Sequence, residues 1–190
     1  MTDRYATFAE LQAHERYPVD YRIRVVLRPS PVGIFAPHGG GIEAGTSEIA
    51  EAIAGDTDNL YCFEGLKRSG NGALHITSAR FDEPKCLALL SICETVITVH
   101  GLAGDAPFTF AGGLDLPLRD AIVTHLTSAG FGAGAVTSGR VSGTDPDNIC
   151  NRGLRRQGVQ LEITAAQRLI LRTNRRQLAA FAVAVRTATK

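Results

Sequence analysis

Residues 32–43 read Val32-Gly33-Ile34-Phe35-Ala36-Pro37-His38-Gly39-Gly40-Gly41-Ile42-Glu43, and the way this run begins and ends sets the architecture. Its first five residues are apolar and short, the mark of a buried strand. Proline then removes a backbone donor, and three successive glycines carry a high entropic cost of ordering, so neither strand nor helix continues easily. Residues 46–54 (TSEIAEAIA) resume with helical spacing. Thr46 or Ser47 can cap that helix, and Glu48 suits its positive end.

The alternation of strand and helix extends in both directions. Residues 21–27 (YRIRVVL) and 159–163 (VQLEI) alternate like strands, 95–99 (TVITV) is the most β-prone run, 59–63 is a short strand, and 133–137 is weakly strand-like. Helical patterns cover residues 7–15, 81–93 with Pro84 in the first turn, 116–129 closed by Gly130, 165–172 and 177–187. This order predicts an α/β fold of three layers, α/β/α, around an open mixed sheet. A length of 190 residues predicts one domain over 1–190.

Twenty basic and nineteen acidic residues leave a net charge of +1. A nucleic-acid binder carries a basic excess, so no nucleic-acid partner is expected. Arg152, Arg155, Arg156, Arg168, Arg172, Arg175 and Arg176 read as solvated side chains. No run of 18 apolar residues exists, which argues against a membrane span. The first twenty residues lack an apolar signal core, and Cys62, Cys86, Cys93 and Cys150 form no C-x-x-C pair, so a cytoplasmic protein with reduced thiols is expected. A monomer is the expected state.

In α/β sheets, ligands sit beyond the carboxyl ends of the strands. His38 and His100 each stand just past the end of a predicted strand. The glycine loop after His38 can aim Glu43 at the same point. Catalytic zinc takes three protein ligands plus water, and two histidines with one glutamate make such a set. His75 is an equal candidate on residue type. A phosphate-binding loop fits poorly, because no Gly-Lys-Ser/Thr follows and Ala44 occupies the last glycine position of a G-x-G-x-x-G spacing. Glu162 lies on the polar side of its strand, either as an ordinary surface carboxylate or as a general base for a metal-bound water. Residues 145–153 form a structured loop, and Arg152 within it and Arg140 nearby either pair with a substrate carboxylate or serve structural ion pairs. Asn71, His75, Thr77 and Arg80 form another polar cluster. Cys150 near Asn148 leaves a thiol nucleophile paired with His100 as an alternative.

Several blocks, taken in order, resemble the poly-γ-glutamate hydrolase family of bacteriophages and bacteria: Pro37 to Glu43, Gly65-Leu66 with Ser69-Gly70-Asn71, Leu74 to Ser78, Phe81 to Pro84, His100-Gly101, Asp145 to Ile149 with Asn151-Arg152, and Gly158 to Ile163. The resemblance runs from the N-terminal helix to about Arg168. It implies a zinc carboxypeptidase-like fold (phosphorylase/hydrolase-like). It implies one Zn2+ per chain on His38, Glu43 and His100, and Glu162 as general base. The implied substrate is a γ-glutamyl peptide or polymer whose free α-carboxylates meet Arg80, Arg140, Asn148, Asn151 and Arg152, with Asn71, His75 and Thr77. Release of such an enzyme by phage lysis is compatible with a chain lacking a signal sequence. Arg80 stands where the family carries histidine, and Leu102 where it carries an aromatic residue. A different N-acyl amino acid or peptidoglycan peptide as substrate, or a non-enzymatic role in phage-related replication, are the competing expectations.

Overall fold

The computed structural model describes residues 3–190. Seven strands, β1 (Tyr21–Val26), β2 (Val32–Gly40), β3 (Asn59–Gly65), β4 (Thr95–Leu102), β5 (Thr109–Gly113), β6 (Ala133–Ala135) and β7 (Val159–Thr164), form one sheet in the order β1-β3-β2-β4-β7-β5-β6. The four central strands β3, β2, β4 and β7 run parallel. At the flanks β1 pairs antiparallel with β3, β5 antiparallel with β7, and β6 parallel with β5. This is the mixed α/β sheet expected from the alternation of elements.

Helices cover both faces. On one side α2 (Thr46–Ala54), α4 (Leu116–Ser128), α5 (Ala165–Thr173) and α6 (Arg175–Thr187) pack over Ile34, Leu60, Ile97, Val99, Leu161 and Ile163. On the other, α1 (Phe8–His14) and α3 (Pro84–Leu90) cover an aromatic layer of Phe35, Tyr61, Phe63 and Phe81. Local chemistry fixes the helix starts. Thr7, Glu83, Asp115, Thr164 and Asn174 each accept a backbone N–H in the first turn of the helix that follows. α2 is the exception: Gly45, with φ +103°, stands at its N-cap, and Thr46 and Ser47 are already helical. The Thr46 hydroxyl instead donates to the carbonyls of His38 and Glu43, and the Ser47 hydroxyl accepts from Gly40 N–H. No helix among the described residues is long and apolar enough to cross a membrane.

The glycine run does not end β2 at Ala36. Gly39 pairs with Glu64 and Gly40 with Gly65, so the strand passes through Pro37 and His38. Between the pairs Ala36↔Cys62 and Gly39↔Glu64, β2 advances three residues while β3 advances two. The surplus residue is a bulge, which re-aims side chains. Ala36 faces the α2 side, and strict alternation would send His38 the same way. Instead the His38 ring lies 6.2 Å from Phe81, on the opposite face. Glycine is required here: a Cβ on Gly39 would lie 2.2 Å from Ser47 Oγ and 2.9 Å from the Phe63 carbonyl oxygen, and Gly40 has φ +61°.

Candidate active site and metal centre

The carboxyl ends of β2, β4 and β7 bring three predicted site residues together. His38 ends the bulged part of β2. His100 lies within the last turn-ward residues of β4, and Glu162 is its direct neighbour across the β4–β7 register. Glu43 folds back from the loop after β2, held by its own N–H to the His38 carbonyl at 2.9 Å. His38 Nδ1 lies 3.1 Å from His100 Nδ1 and 3.4 Å from Glu43 Oε1, and His100 Nδ1 lies 3.9 Å from Glu43 Oε2. A tetrahedron of ~2.0 Å metal bonds has edges of roughly 3.3 Å, so this donor set fits a small cation.

The hydrogen bonds around the trio point the same way. His38 Nε2 faces the Ile76 carbonyl at 2.8 Å, an acceptor only, so Nε2 carries the proton and Nδ1 offers its lone pair inward. Gly101 N–H donates to Glu43 Oε2 at 2.7 Å. A Cβ on Gly101 would lie 2.8 Å from Glu43 Cβ, so the approach requires glycine. His38, Glu43 and His75 also offer one donor atom each within 4.8 Å of one another. The edges through His100, at 3.1 and 3.9 Å, bracket the tetrahedral value. The His75 ring stacks on His38, with centroids 4.0 Å apart, and its Nδ1 is engaged by Asp3 at 2.7 Å.

Electrostatics separate the two carboxylates. Burial opposes charge on Glu43, but His38, His100 and the Gly101 N–H outweigh it and hold the group down at about 2. Burial, aided by Glu43, pushes Glu162 up to about 7. Burial and neighbouring His38 hold His100 down at about 3, which keeps it neutral. Burial also opposes charge on His38, but Glu43 overcomes it and raises the imidazole. One carboxyl held ionised thus sits beside one pushed up toward neutral pH.

These groups line a cavity of ≈ 890 Å³ whose wall also includes His75, Thr77, Ser78, Arg140 and Asn148. A sequence profile of poly-γ-glutamate hydrolase matches residues 5–182. The chain belongs to the poly-γ-glutamate hydrolase family. Among solved structures it matches a bacteriophage poly-γ-glutamate hydrolase at a TM-score of 0.93 and 39% identity, over 99% of this chain and 97% of that one. It matches a zinc-free, apo form of YndL at a TM-score of 0.93 and 35% identity, over 99% and 98% of the two chains. Among curated relatives, YoqZ, an SPβ prophage-derived protein of Bacillus subtilis strain 168, is 42% identical over 167 residues. That alignment covers 87% of this chain and 60% of YoqZ, so the chain spans less than two thirds of that relative's length.

Within this family fold, the residues expected to bind substrate divide into two groups. His75, Thr77, Arg140 and Asn148 line the cavity. Asn71, Arg80, Asn151 and Arg152 do not, and each has a structural partner instead. Asn71 bonds both backbone groups of Lys67. The Arg80 guanidinium donates to Asp3 at 2.7 Å. Asn151 is fully buried and ties the carbonyls of Gly143 and Asp145 to Leu114 N–H. Arg152 donates to the Phe81 carbonyl at 3.0 Å. The thiol alternative also fails in place: Cys150 is buried, burial pushes its thiol up, and its Sγ faces the Gly143 carbonyl.

Sequence reasoning missed two residues. Asp3, from the far end of the chain, accepts from His75 Nδ1, Thr77 N–H and Arg80 Nη2, each at 2.7 Å. Nothing local marks it, since its partners are more than 70 positions away. Arg168 was grouped with solvated arginines. Its guanidinium donates to the carbonyls of Ala44, Leu102 and Ile163, bracing the loop after Glu43 against the ends of β4 and β7. Its place in the first turn after β7 was the available signal.

Proposed function

We propose that this chain is a zinc-dependent hydrolase of γ-glutamyl amide bonds in poly-γ-glutamate or related acidic peptides. The observation that carries the reading is the pair of Nδ1 atoms and the carboxylate at 3.1, 3.4 and 3.9 Å, with Glu162 alongside. His38, Glu43 and His100 would hold one ion. Zinc bound there supplies Lewis acidity toward a carbonyl oxygen and lowers the pKa of a bound water from 15.7 to about 7.

The protein's own residues perform the rest. Glu162, poised at about 7, takes a proton from the attacking water and returns it to the departing amine, which balances the hydrolysis. His75, Thr77 and Arg140 line the same cavity as the reacting centre. Arg140 is the guanidinium among the lining residues, and it suits the α-carboxylate that every γ-linked glutamate retains. That feature favours a substrate with a free carboxylate beside the scissile amide.

The test combines metal analysis with hydrolysis. Protein purified without added zinc binds about one zinc per chain, and His38→Ala loses it. Glu162→Gln keeps the metal and loses turnover by about a hundred- to ten-thousandfold. Retention of turnover in Glu162→Gln, or wild-type metal content in His38→Ala, contradicts the reading. Product release from γ-glutamyl oligomers, set against peptidoglycan peptides, decides the substrate.

A further inference from the structure

We propose that Asn148 and Gln160 are positioning residues that aim the carboxylate of Glu162, a role that rests on Glu162 being the base. Gln160 and Glu162 lie two residues apart on one face of β7. Gln160 Nε2 donates to Glu162 Oε1 at 2.8 Å. Gln160 Oε1 accepts from Asn148 Nδ2 at 2.8 Å, and Asn148 Oδ1 accepts from Cys150 N–H at 3.1 Å.

Neither amide is free to turn over. The Cys150 N–H can only donate, so Asn148 presents oxygen to it and nitrogen to Gln160. At the other end, Gln160 Nε2 also lies 3.5 Å from the Val141 carbonyl, which can only accept. Both ends impose the same sense on the chain. Asn148 and Gln160 are 7% and 3% exposed, so water does not substitute for either partner. The surrounding loop is shaped to them: Gly143 has φ +62°, and a Cβ there would lie 3.0 Å from Gln160 Cβ. Asn148 therefore lines the cavity with its amide already engaged, and its part is to orient rather than to contact substrate.

The consequence is an asymmetric carboxylate. Oε1 is held by Gln160, and Oε2 has no hydrogen-bond partner among the described residues. Oε2 is then the oxygen that takes the proton, in a rotamer fixed by Oε1.

Steady-state kinetics of the zinc-loaded full chain on a γ-glutamyl oligomer, from pH 5 to 9, test this. Gln160→Met keeps the length and removes the donor. Its kcat falls about 10- to 100-fold with KM within about twofold, as for loss of an outer-shell orienting group, and the acid limb of kcat moves to higher pH. Asn148→Asp still accepts from Cys150 but cannot donate, so Gln160 turns its oxygen toward Glu162. It shifts the limb the same way, and the double variant is no worse than Gln160→Met alone. Wild-type kcat and an unmoved limb in Gln160→Met, with Glu162→Gln inactive, overturn the positioning role and leave the base intact. An active Glu162→Gln removes both. Should Gln160→Met not fold, the limb of Asn148→Asp decides by itself, and an unshifted limb overturns the proposal.

Discussion

Single atoms govern access to this site. Gly101 has no side chain because Glu43 and the Arg168 guanidinium occupy that space, with a Cβ only 2.6 Å from Arg168. Gly101→Ala is expected to displace Glu43 and weaken zinc binding about 10- to 100-fold, measured by competition with a chelator. Asp3 offers a second case. Burial opposes its charge, but the Thr77 N–H and His75 overcome it and hold the carboxyl at about 2, below its ordinary 3.8. A depressed acid contributes stability above its unfolded value and loses it as pH falls through the folded one. The stability gap between wild type and Asp3→Asn is thus full above pH 4 and closes toward pH 2, as chemical denaturation at each pH will reveal. At neutral pH, Asp3→Asn is expected to lower kcat by loosening His75, with Arg80 left unpaired.

At the level of elements, Arg168 joins three carbonyls at the sheet's carboxyl end. Hydrogen bonds from a charged donor contribute roughly 1.5–3 kcal/mol. For a domain of 150–250 residues each kcal/mol moves Tm by about 2–4 °C. Taking the net loss as that of one such bond, Arg168→Met is expected to lower Tm by about 3–12 °C in the zinc-free protein, read by calorimetry, and to reduce zinc affinity as well. The elements themselves were largely legible. The alternation of 21–27 and 159–163, the β-branched run 95–99 and the helices at 46–54 and 116–129 all correspond to observed elements, although Gly45, not Thr46 or Ser47, stands at the first helix's N-cap. The misses have physical causes. β5 (Thr109–Gly113) carries two glycines and no apolar alternation, and it exists because Ala111 pairs with Leu161 across the sheet. Residues 81–93 shorten to Pro84–Leu90, since Glu83 spends its carboxylate on the helix cap and on Tyr61. Strand ends were underestimated wherever a histidine and glycines followed, because tertiary pairing overrides local preference there. The sequence singles out His38, Glu43, His100 and Glu162, and the structure brings them together. It does not separate the arginines and asparagines that line the cavity from those with structural partners, because a polar side chain's partner is a matter of tertiary contact.

Across the whole molecule, the site concentrates ionisable groups in a buried place, and that links stability to pH. In the zinc-free protein Glu162 titrates at about 7, against an ordinary 4.5. An acid raised on folding keeps its proton while the unfolded chain releases it, so stability falls as pH rises from about 4.5 to 7. Zinc-free wild type is expected to lose up to a few kcal/mol over that range relative to Glu162→Gln, by urea titration at pH 5 and pH 7.5. Zinc, binding only the folded state, should raise Tm with concentration.

The extra residue in β2 carries a consequence for how such a chain tolerates change. Which face the first imidazole looks toward depends on where the surplus residue sits between Ala36 and Gly39. Plain one-to-one pairing of these same residues would leave every donor in the chain yet turn that ring into the greasy layer beneath α2. Register, more than lettering, is what this segment must preserve.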